Sequence, residues 1–390
     1  MLTPAQIELV KATVPVLREH GVALTTHFYK RMLSGNPELR HIFNSAHQAG
    51  GKQQKALAAA VLAYAENIEN LAVLLPAVRQ IAVKHCTIGV RAEQYGIVGR
   101  HLLASIKEVL GDAATDELID AWAAAYGLLA DVLIKAEGEI YSQQAMADGG
   151  WSGWRPFRIA SIKEECADVK SFCLTPADGG PLPSFVPGQF VSVRVFVKEI
   201  SLAQPRQYTI TAMDSAMVRI TVRHVPSGRV SGALHGMREG DVVELSAPLG
   251  DFNPVQNDAP AVFLSAGIGI TPMVSMLAAA AAGTPDKKVC FVYVCRGPES
   301  FPLRAEVEKS VAAMPGAALH VFYTRSDAAG CFKNGRLAAA DYAAVGMSAD
   351  AEYYICGPVS FMAEHRQALL AYGVPAERIH MEVFGTGDMA

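Results

Sequence analysis

Hydrophobic residues recur at steps of three and four through the first third of the chain, from Thr3 to about Met146. This period predicts amphipathic helices, and no alternating strand pattern interrupts it. The first helix begins at Thr3, whose hydroxyl can cap it, with Pro4 in the first turn and Gln6 able to reach back. The first third of the chain is therefore predicted to be an all-α bundle.

The pattern changes at the linker that follows Asp148. Gly149, Gly150 and Gly153 break the helical period, and after Pro156 apolar residues alternate with polar ones. Six short strands separated by glycine and proline turns are predicted, at residues 157–162, 170–174, 189–195, 207–211, 218–223 and 242–245. That number of short strands favours a small antiparallel β-barrel.

The last third begins with a fully apolar strand at residues 261–265, followed by a glycine-containing turn and a helix at 273–282. Further apolar strands are predicted at 289–294, 319–323 and 353–356, with helical stretches between them. Alternation of this kind predicts an α/β domain with a parallel sheet. The chain is thus predicted to have three domains, at residues 1–147, 148–258 and 259–390.

Composition narrows the class of protein and its partners. With 51% hydrophobic residues, 18% charged residues and a formal net charge of -4, the chain is predicted to be globular, with no basic surface for nucleic acid. The opening residues lack a signal-peptide pattern, and no apolar run approaches the ~20 residues of a membrane-spanning helix. Seven scattered cysteines without a C-x-x-C pair favour reduced thiols in the cytoplasm over disulfides or a zinc site.

One histidine stands out, because the helical period that ends near Gly89 places His85 on the apolar stripe. For an isolated histidine, a neutral core imidazole satisfied by a backbone carbonyl is the more common arrangement. The alternative is a ligand that reaches across a pocket to a haem iron, which requires suitable residues on the opposite wall.

The first third supplies such residues at Tyr29, Phe43, Gln53, Leu57, Lys84, His85, Tyr95 and Glu137. In order and spacing, this set resembles the haem-pocket residues of bacterial flavohaemoglobins. The resemblance implies a globin domain in which His85 is the proximal iron ligand and Phe43 stacks on the porphyrin. It also implies that Tyr29, Gln53 and Leu57 form the distal wall. A phenol and an amide there can donate hydrogen bonds to bound dioxygen, which carries partial negative charge.

On the proximal side, the same resemblance assigns Tyr95 and Glu137 to a relay that contacts the far nitrogen of His85. A carboxylate that accepts this proton pushes electron density toward the iron and favours oxygen activation over storage. Lys84, next to the ligand, is a candidate contact between the haem and flavin domains. An ordinary solvated lysine is the alternative for that position.

The predicted barrel contains the run Arg206, Gln207, Tyr208 and Thr209, which resembles the R-x-Y-[ST] flavin signature of the ferredoxin reductase-like family. Arg206 can hold the FAD pyrophosphate bidentately, Tyr208 can pack on the flavin and ribose, and Thr209 can offer a hydroxyl near the ring edge.

A second phosphate contact is implied at a turn that opens a helix, formed by Gly228, Val230 and Ser231. Two departures from the family are present. Phe190 stands where flavohaemoglobins usually have tyrosine, and the loop before Gly228 is shortened. We therefore expect flavin affinity and exposure to differ from the family norm.

The last third carries the reductase family's nucleotide motifs. A G-x-G-x-T-P turn, which meets NAD(P)H in that family, is formed by Gly267, Ile268, Gly269, Ile270, Thr271 and Pro272. The nicotinamide-side turn matches Cys356, Gly357 and Pro358. The C-terminal flavin contact matches Glu382, Val383, Phe384, Gly385 and Thr386, with Phe384 as a candidate stacking group.

Together these motifs imply a flavohaemoglobin with haem b, FAD and either NADH or NADPH. The implied activity is that of a nitric oxide dioxygenase, in which NAD(P)H reduces FAD, FAD reduces haem, and the ferrous dioxygen complex converts nitric oxide to nitrate. A gas-binding or sensing globin with its own reductase, and a haem-dependent reductase of lipid or alkyl hydroperoxides, remain alternatives. We expect a cytoplasmic monomer. The sequence leaves open the choice between NADH and NADPH, and whether a lipid occupies the distal pocket.

Overall fold

The computed structural model describes residues 2–42 and 50–384. The first third is helical, as the apolar period predicted. Its α-helices are Pro4–Ala12, Val14–Gly35, Lys52–Glu66, Leu75–Ile88, Ala92–Leu110 and Asp116–Met146. At the first of them the Thr3 hydroxyl accepts a hydrogen bond from the Gln6 amide, and the Gln6 side chain accepts one from the Thr3 amide. This confirms the predicted capping box.

Two helix pairs position the residues of interest in this bundle. The helix Val14–Gly35 packs against Lys52–Glu66, and the Thr25 hydroxyl donates to the Gln54 carbonyl oxygen at 2.8 Å across that contact. The helix Leu75–Ile88 packs against Asp116–Met146. The first pair carries the predicted distal residues, and the second carries the predicted proximal ones.

The barrel prediction is confirmed. Six strands form a closed barrel in the order β1-β2-β5-β4-β3-β6. They are β1 (Arg155–Cys166), β2 (Val169–Pro176), β3 (Phe190–Val197), β4 (Leu202–Met213), β5 (Val218–Arg223) and β6 (Val242–Leu245). A short helix, Arg229–His235, lies between β5 and β6. Strands β1 and β4 are longer than predicted. The added end of β1 after Ile162 is polar, whereas β4 gains a mixed segment before Gln207 that lacks alternation.

The last third contains the predicted parallel sheet, in the order β10-β9-β8-β7-β11-β12. Its strands are β7 (Ala261–Ala266), β8 (Val289–Cys295), β9 (Ala317–Tyr323), β10 (Lys333–Asn334), β11 (Glu352–Cys356) and β12 (Ile379–Glu382). Helices Ile270–Gly283, Arg304–Ala312 and Val359–Tyr372 cover the sheet. The sequence missed both edge strands, because β10 has two residues and β12 alternates with polar residues.

The chain divides into two compact units. One contains residues up to Ala147 together with Trp151–Trp154 and Phe196–Pro205, and the other contains the rest of the barrel with the parallel sheet. The three domain boundaries predicted from the sequence remain predictions.

One helical stretch among the described residues, Leu71–Ile88, is long and apolar enough to cross a membrane by length and composition alone, with a mean hydropathy of 1.3 over 18 residues. The sequence predicted no apolar run close to the length of a membrane-spanning helix, and this stretch of 18 residues is closer to that length. A single stretch of this kind is weak support for a membrane span, since core helices of soluble proteins pass the same test. This one carries Arg79, Lys84 and His85.

Candidate functional site

The His85 imidazole lies near the end of the helix Leu75–Ile88, which Gly89 terminates with a φ of 79°. Its Nδ1 atom is 2.7 Å from Glu137 Oε1 and 3.0 Å from the Tyr95 hydroxyl. The Tyr95 hydroxyl in turn donates to the same Glu137 oxygen. The structure therefore brings together the three residues that the sequence assigned to the proximal side.

This arrangement selects one histidine tautomer. The Tyr95 proton points to Glu137, so both neighbours of His85 Nδ1 present acceptor oxygens, and Nδ1 must carry the ring proton. The lone pair then lies on Nε2, which is the nitrogen available to a metal. Burial and the Glu137 carboxylate raise the pKa of Tyr95, which keeps its hydroxyl protonated as a donor.

The carboxylate and the phenol are themselves held firmly. Glu137 is buried in the helix Asp116–Met146, and the Tyr95 carbonyl accepts a 2.7 Å hydrogen bond from the Tyr126 hydroxyl. Tyr126 also packs over Gly99, where an added Cβ would come within 2.6 Å of its ring. No sequence pattern marks Tyr126 as a site residue, because its role depends on a hydrogen bond to the backbone of another helix.

The proximal residues fit a haem. The His85 side chain is 31% exposed while its Glu137 partner is 3% exposed, so one edge of the imidazole is buried and the other is accessible. Partly buried apolar side chains lie around the histidine's helix, as a porphyrin requires: Ile42, Val78, Ile81 and Ile88. Among the described residues no group of three metal-ligating side chains occurs. The accessible edge of His85 can supply the one histidine that a haem iron takes on its proximal side.

The predicted distal residues lie on the other helix pair. Tyr29 is buried, with an edge-on contact to Phe28 at 5.0 Å between ring centroids. Burial raises the pKa of Tyr29, so its hydroxyl stays protonated and can donate. Gln53 and Leu57 are half-buried and one turn apart on the helix Lys52–Glu66. Phe43 lies outside the described residues, and Lys84 is exposed.

The predicted flavin signature lies on β4. Arg206 and Tyr208 are half-buried, and Thr209 is buried. Burial lowers the pKa of Arg206, which means that the protein around it disfavours the guanidinium charge. A diphosphate that accepts two parallel hydrogen bonds would compensate this cost. Gln207 is exposed.

Phe190, at the start of β3, packs against Gly250, whose φ is 119° and where an added Cβ would lie 3.0 Å from the ring. The ring is therefore held by the loop after β6.

The turn at Gly228 is closed by its own hydrogen bonds. The Ser231 hydroxyl donates to the Gly228 carbonyl at 3.0 Å and accepts from the Val225 amide at 3.1 Å. An added Cβ at Gly228 would lie 2.6 Å from Ser231 Oγ, so only glycine fits. Val230 is buried. In this structure Ser231 shapes the turn, and Val230 anchors it.

The glycine turn after β7 approaches the end of β11 closely. An added Cβ at Gly269 would lie 2.3 Å from the Cys356 carbonyl oxygen, and Gly267 has a φ of 55°. The Thr271 hydroxyl donates to the Ile268 carbonyl at 3.1 Å. Strands β8 and β11 lie on opposite sides of β7, so the order of the strands reverses direction at β7. In open parallel sheets, ligands bind at such a switch point, beyond the carboxyl ends of the strands.

Other residues of these motifs support the turn. Ile270 and Pro272 are buried beneath it, and Pro358 precedes the helix Val359–Tyr372 as its cap. Gly357 is tight against the Ala266 side chain, since an added Cβ would lie 3.2 Å from it.

The last described residues bring a carboxyl group to the same edge of the sheet. Glu382 on β12 pairs in register with the buried Cys356 on β11. Burial and the nearby Asp251 raise the pKa of Glu382 to about 7. Val383 is half-buried and Phe384 is 44% exposed. Gly385 and Thr386 lie outside the described residues.

Each third of the chain matches a known type of protein domain. A globin model matches residues 26–133, an oxidoreductase FAD-binding domain matches residues 156–253, and an oxidoreductase NAD-binding domain matches residues 263–367. A flavohemoprotein of Bordetella parapertussis is 51% identical over the full length of both chains. The chain belongs to the flavohaemoprotein family.

More distant relatives and solved structures extend the match. A flavohemoprotein of Bacillus subtilis is 41% identical, with 99% of this chain and 98% of that protein covered. A crystal structure of a Malassezia yamatoensis flavohemoglobin with bound FAD and heme covers 98% of this chain at a TM-score of 0.88 and 28% identity. The FAD/NAD-binding domain of a nitric oxide dioxygenase from Vibrio cholerae covers 59% of this chain at a TM-score of 0.56 and 33% identity.

These findings confirm the predicted family, the predicted fold class of a globin with a reductase module, and the cofactor set of haem, FAD and a nicotinamide dinucleotide. They also make this flavohaemoprotein an oxidoreductase. The individual roles of the site residues remain predictions.

Replacement of Arg206 with alanine tests the flavin site. We expect Arg206→Ala to lose most of its FAD on gel filtration, because a guanidinium that can clamp the pyrophosphate is removed. The matched control is Arg194→Ala on neighbouring β3, whose side chain pairs with Glu244 at 2.8 Å. The measurement is the ratio of flavin to protein absorbance. An equal ratio in both variants would contradict the assignment.

Proposed function

We propose that this chain is a cytoplasmic NAD(P)H-dependent nitric oxide dioxygenase, which converts nitric oxide and dioxygen to nitrate. One observation carries the proposal, namely that the buried Glu137 carboxylate and the Tyr95 hydroxyl both face Nδ1 of His85. A carboxylate on the far nitrogen of an axial histidine raises the electron-donating power of the ligand, which suits oxygen activation more than oxygen storage.

In this proposal haem supplies the redox-active iron, and FAD supplies the step from two-electron hydride chemistry to single electrons. His85 would hold the iron through Nε2. Glu137 and Tyr95 fix the orientation and tautomer of His85 and stabilise positive charge on its ring. Because Glu137 is buried among helices, its carboxylate stays next to His85 when the electron density on the imidazole changes.

On the opposite side, Tyr29 and Gln53 would bind the diatomic substrates. A protonated phenol and an amide N–H favour a ligand that acquires negative charge, whereas Leu57 excludes water from the same wall. Phe43 would stack on the porphyrin. Whether a lipid binds beside these residues stays open, and the monomeric state stays a prediction.

In the reductase half, Arg206, Tyr208 and Thr209 would hold FAD, and the turn from Gly267 to Thr271 would bind the dinucleotide. Glu382 lies beside Cys356 at the edge where strands β7, β11 and β12 end. With a pKa of about 7, Glu382 can hold or release a proton near neutral pH.

Steady-state consumption of nitric oxide under NAD(P)H and air tests the proposal. The balance is two nitric oxide and two dioxygen molecules for each NAD(P)H, since one hydride carries two electrons and each nitrate needs one. We expect sustained consumption with this ratio. Consumption that stops after one equivalent per haem would favour a gas-binding protein, and NAD(P)H oxidation driven by an alkyl hydroperoxide alone would favour a peroxide reductase.

Replacement of Glu137 with glutamine tests the proximal relay. We expect Glu137→Gln to keep its haem but to lower the iron–histidine stretching frequency and slow nitric oxide turnover by about tenfold, as for other groups that support a metal ligand. Glu139→Gln is the matched control, since Glu139 is exposed on the same helix. Resonance Raman spectra of the ferrous proteins measure the frequency. Identical spectra for the two variants would remove Glu137 from the relay.

A further inference from the structure

A chain of hydrogen bonds connects the barrel to the glycine turn that follows β7. Its central residue is Tyr293 on β8, which is fully buried. The Tyr293 hydroxyl is 3.1 Å from the Gly267 carbonyl oxygen and 3.2 Å from the Ser300 carbonyl oxygen. Burial raises the pKa of Tyr293, so the hydroxyl remains a donor. None of the sequence motifs included this residue.

The contact to Gly267 fixes the orientation of one peptide group. The Gly267 carbonyl also accepts from the Ile270 amide, so two donors hold it in place. In a planar trans peptide the carbonyl and the next N–H point in opposite directions. Holding the Gly267 carbonyl therefore also aims the Ile268 N–H, which lies in the first turn of a helical segment where N–H groups lack intrahelical partners.

The contact to Ser300 connects Tyr293 to the loop before the helix Arg304–Ala312. That loop ends at Leu303, which is buried and has a φ of 58°, a left-handed conformation that is strained for a non-glycine residue. Such a conformation persists only where surrounding contacts hold it. The Leu303 amide donates to Glu165 Oε2 of β1 at 3.4 Å.

A second contact fixes the same helix to the barrel. Arg219 of β5 forms two hydrogen bonds to Glu306, at 2.7 and 2.6 Å. This is the bidentate geometry that gives an ion pair its strength and direction. Arg219 is held in turn by the Thr211 hydroxyl, 3.0 Å from its Nε.

The series of hydrogen bonds continues into the barrel from Glu165. The Glu165 side chain is nearly buried, and its Oε1 accepts from the Ser171 hydroxyl at 2.9 Å. Ser171 also contacts Thr221 at 2.9 Å. The helix Arg304–Ala312 thus contacts β5 through Glu306, and the loop before it contacts β1 through Leu303. Tyr293 connects that loop to the glycine turn.

We propose that Tyr293 is a positioning residue for dinucleotide binding, and that Arg219, Glu306 and Glu165 fix the loop through which it acts. The inference rests on the proposed function only in assigning NAD(P)H to the glycine turn. Tyr293 touches neither nucleotide nor flavin in this account. It orients the backbone donors of the turn relative to the barrel that holds FAD.

Titration of the oxidised holoprotein with NAD⁺ and NADP⁺ tests the proposal without turnover. Tyr293→Phe keeps the ring, which packs on Phe301 at 4.6 Å between centroids, and removes only the hydroxyl. We expect the dissociation constant of the tighter nucleotide to rise about three- to tenfold, the effect of one lost hydrogen bond. The limiting rate of flavin reduction at saturating NAD(P)H should change less than twofold.

Tyr353→Phe is the matched control. Tyr353 is equally buried in the same sheet, and its hydroxyl donates to the Ser348 carbonyl at 2.8 Å, away from the turn. It should lower thermal stability to a similar degree and leave the dissociation constant unchanged. Equal affinity in Tyr293→Phe and Tyr353→Phe would overturn the proposal, because the hydroxyl would then contribute only to stability.

The ion pair between Arg219 and Glu306 is tested by the same nucleotide titration. Glu306→Gln should weaken nucleotide binding, whereas Glu308→Gln, which removes a pair to Arg304 on the exposed side of the same helix, should not. Because both contacts act on one turn, the double variant Tyr293→Phe/Glu306→Gln should lose less binding free energy than the sum of the losses in the two single variants. Additive losses would show that the two contacts act independently and would overturn this part of the proposal. A parent protein that binds neither nucleotide would overturn the proposed function as well, whereas parent binding with unaffected variants overturns this inference alone.

Discussion

His85→Ala is expected to lose haem while it keeps FAD. His85 is the predicted proximal ligand, and its Nε2 is the nitrogen available to iron because Nδ1 faces Glu137 and Tyr95. The flavin signature lies in the other compact unit, so its fold does not depend on the histidine. We expect the haem-to-protein ratio to fall more than about tenfold, since loss of a ligand exceeds the ~10–100-fold effect of its supporting groups.

The control for this variant is His101→Ala. His101 is a partly buried histidine in the same unit, where its ring accepts from Arg31 at 2.8 Å and contacts Asn36 at 3.0 Å. The Soret absorbance per protein and the flavin absorbance per protein are measured for both variants after gel filtration. Normal haem content in His85→Ala would make His85 a core residue and remove the haem site from this helix.

Tyr29→Phe is expected to speed dioxygen dissociation and to lower nitric oxide turnover. The buried phenol is a protonated donor in the predicted distal wall, and the substitution leaves the ring in place. A lost hydrogen bond to a charged acceptor costs ~1.5–3 kcal/mol, on the order of tenfold to a hundredfold in affinity. Flash photolysis measures the dissociation rate of dioxygen, and a nitric oxide electrode measures the rate of nitric oxide turnover.

Tyr64→Phe separates this effect from general damage to the fold. Tyr64 is as buried as Tyr29 in the same helical core, but its hydroxyl donates to the Ala125 carbonyl at 2.8 Å. It should reduce thermal stability and leave dioxygen dissociation unchanged. If both variants released dioxygen at the parent rate, Tyr29 would have no part in the distal site.

The sequence predicted much of the fold because its apolar period is strong. The helical steps placed His85 on a buried stripe, and alternation located all six barrel strands. The relay was predictable only by resemblance, since Tyr95 and Glu137 lie 10 and 52 residues from His85 and no local pattern pairs them. Glu137 looks the same in sequence as the exposed Glu139, and burial alone separates the two.

The contacts that the sequence could not give are those made by ordinary residues through the backbone. Tyr126 supports the relay through the Tyr95 carbonyl, and the Tyr293 hydroxyl lies within hydrogen-bond distance of two backbone carbonyls that share its one proton. A tyrosine inside an apolar run has the same pattern as any core aromatic residue. Arg219 and Glu306 are 87 residues apart, and their pairing depends on how the sheet helix packs on the barrel.

Nitric oxide dioxygenase activity is tested most directly by the fate of the oxygen atoms. The purified parent protein is supplied with NAD(P)H, nitric oxide and isotopically labelled dioxygen, and the nitrate is analysed by mass spectrometry. We expect many nitrate molecules per haem, each with two labelled oxygen atoms, because a dioxygenase transfers both atoms of dioxygen to nitric oxide. Unlabelled or singly labelled nitrate as the main product, or no more than one nitrate per haem, would contradict dioxygenase activity.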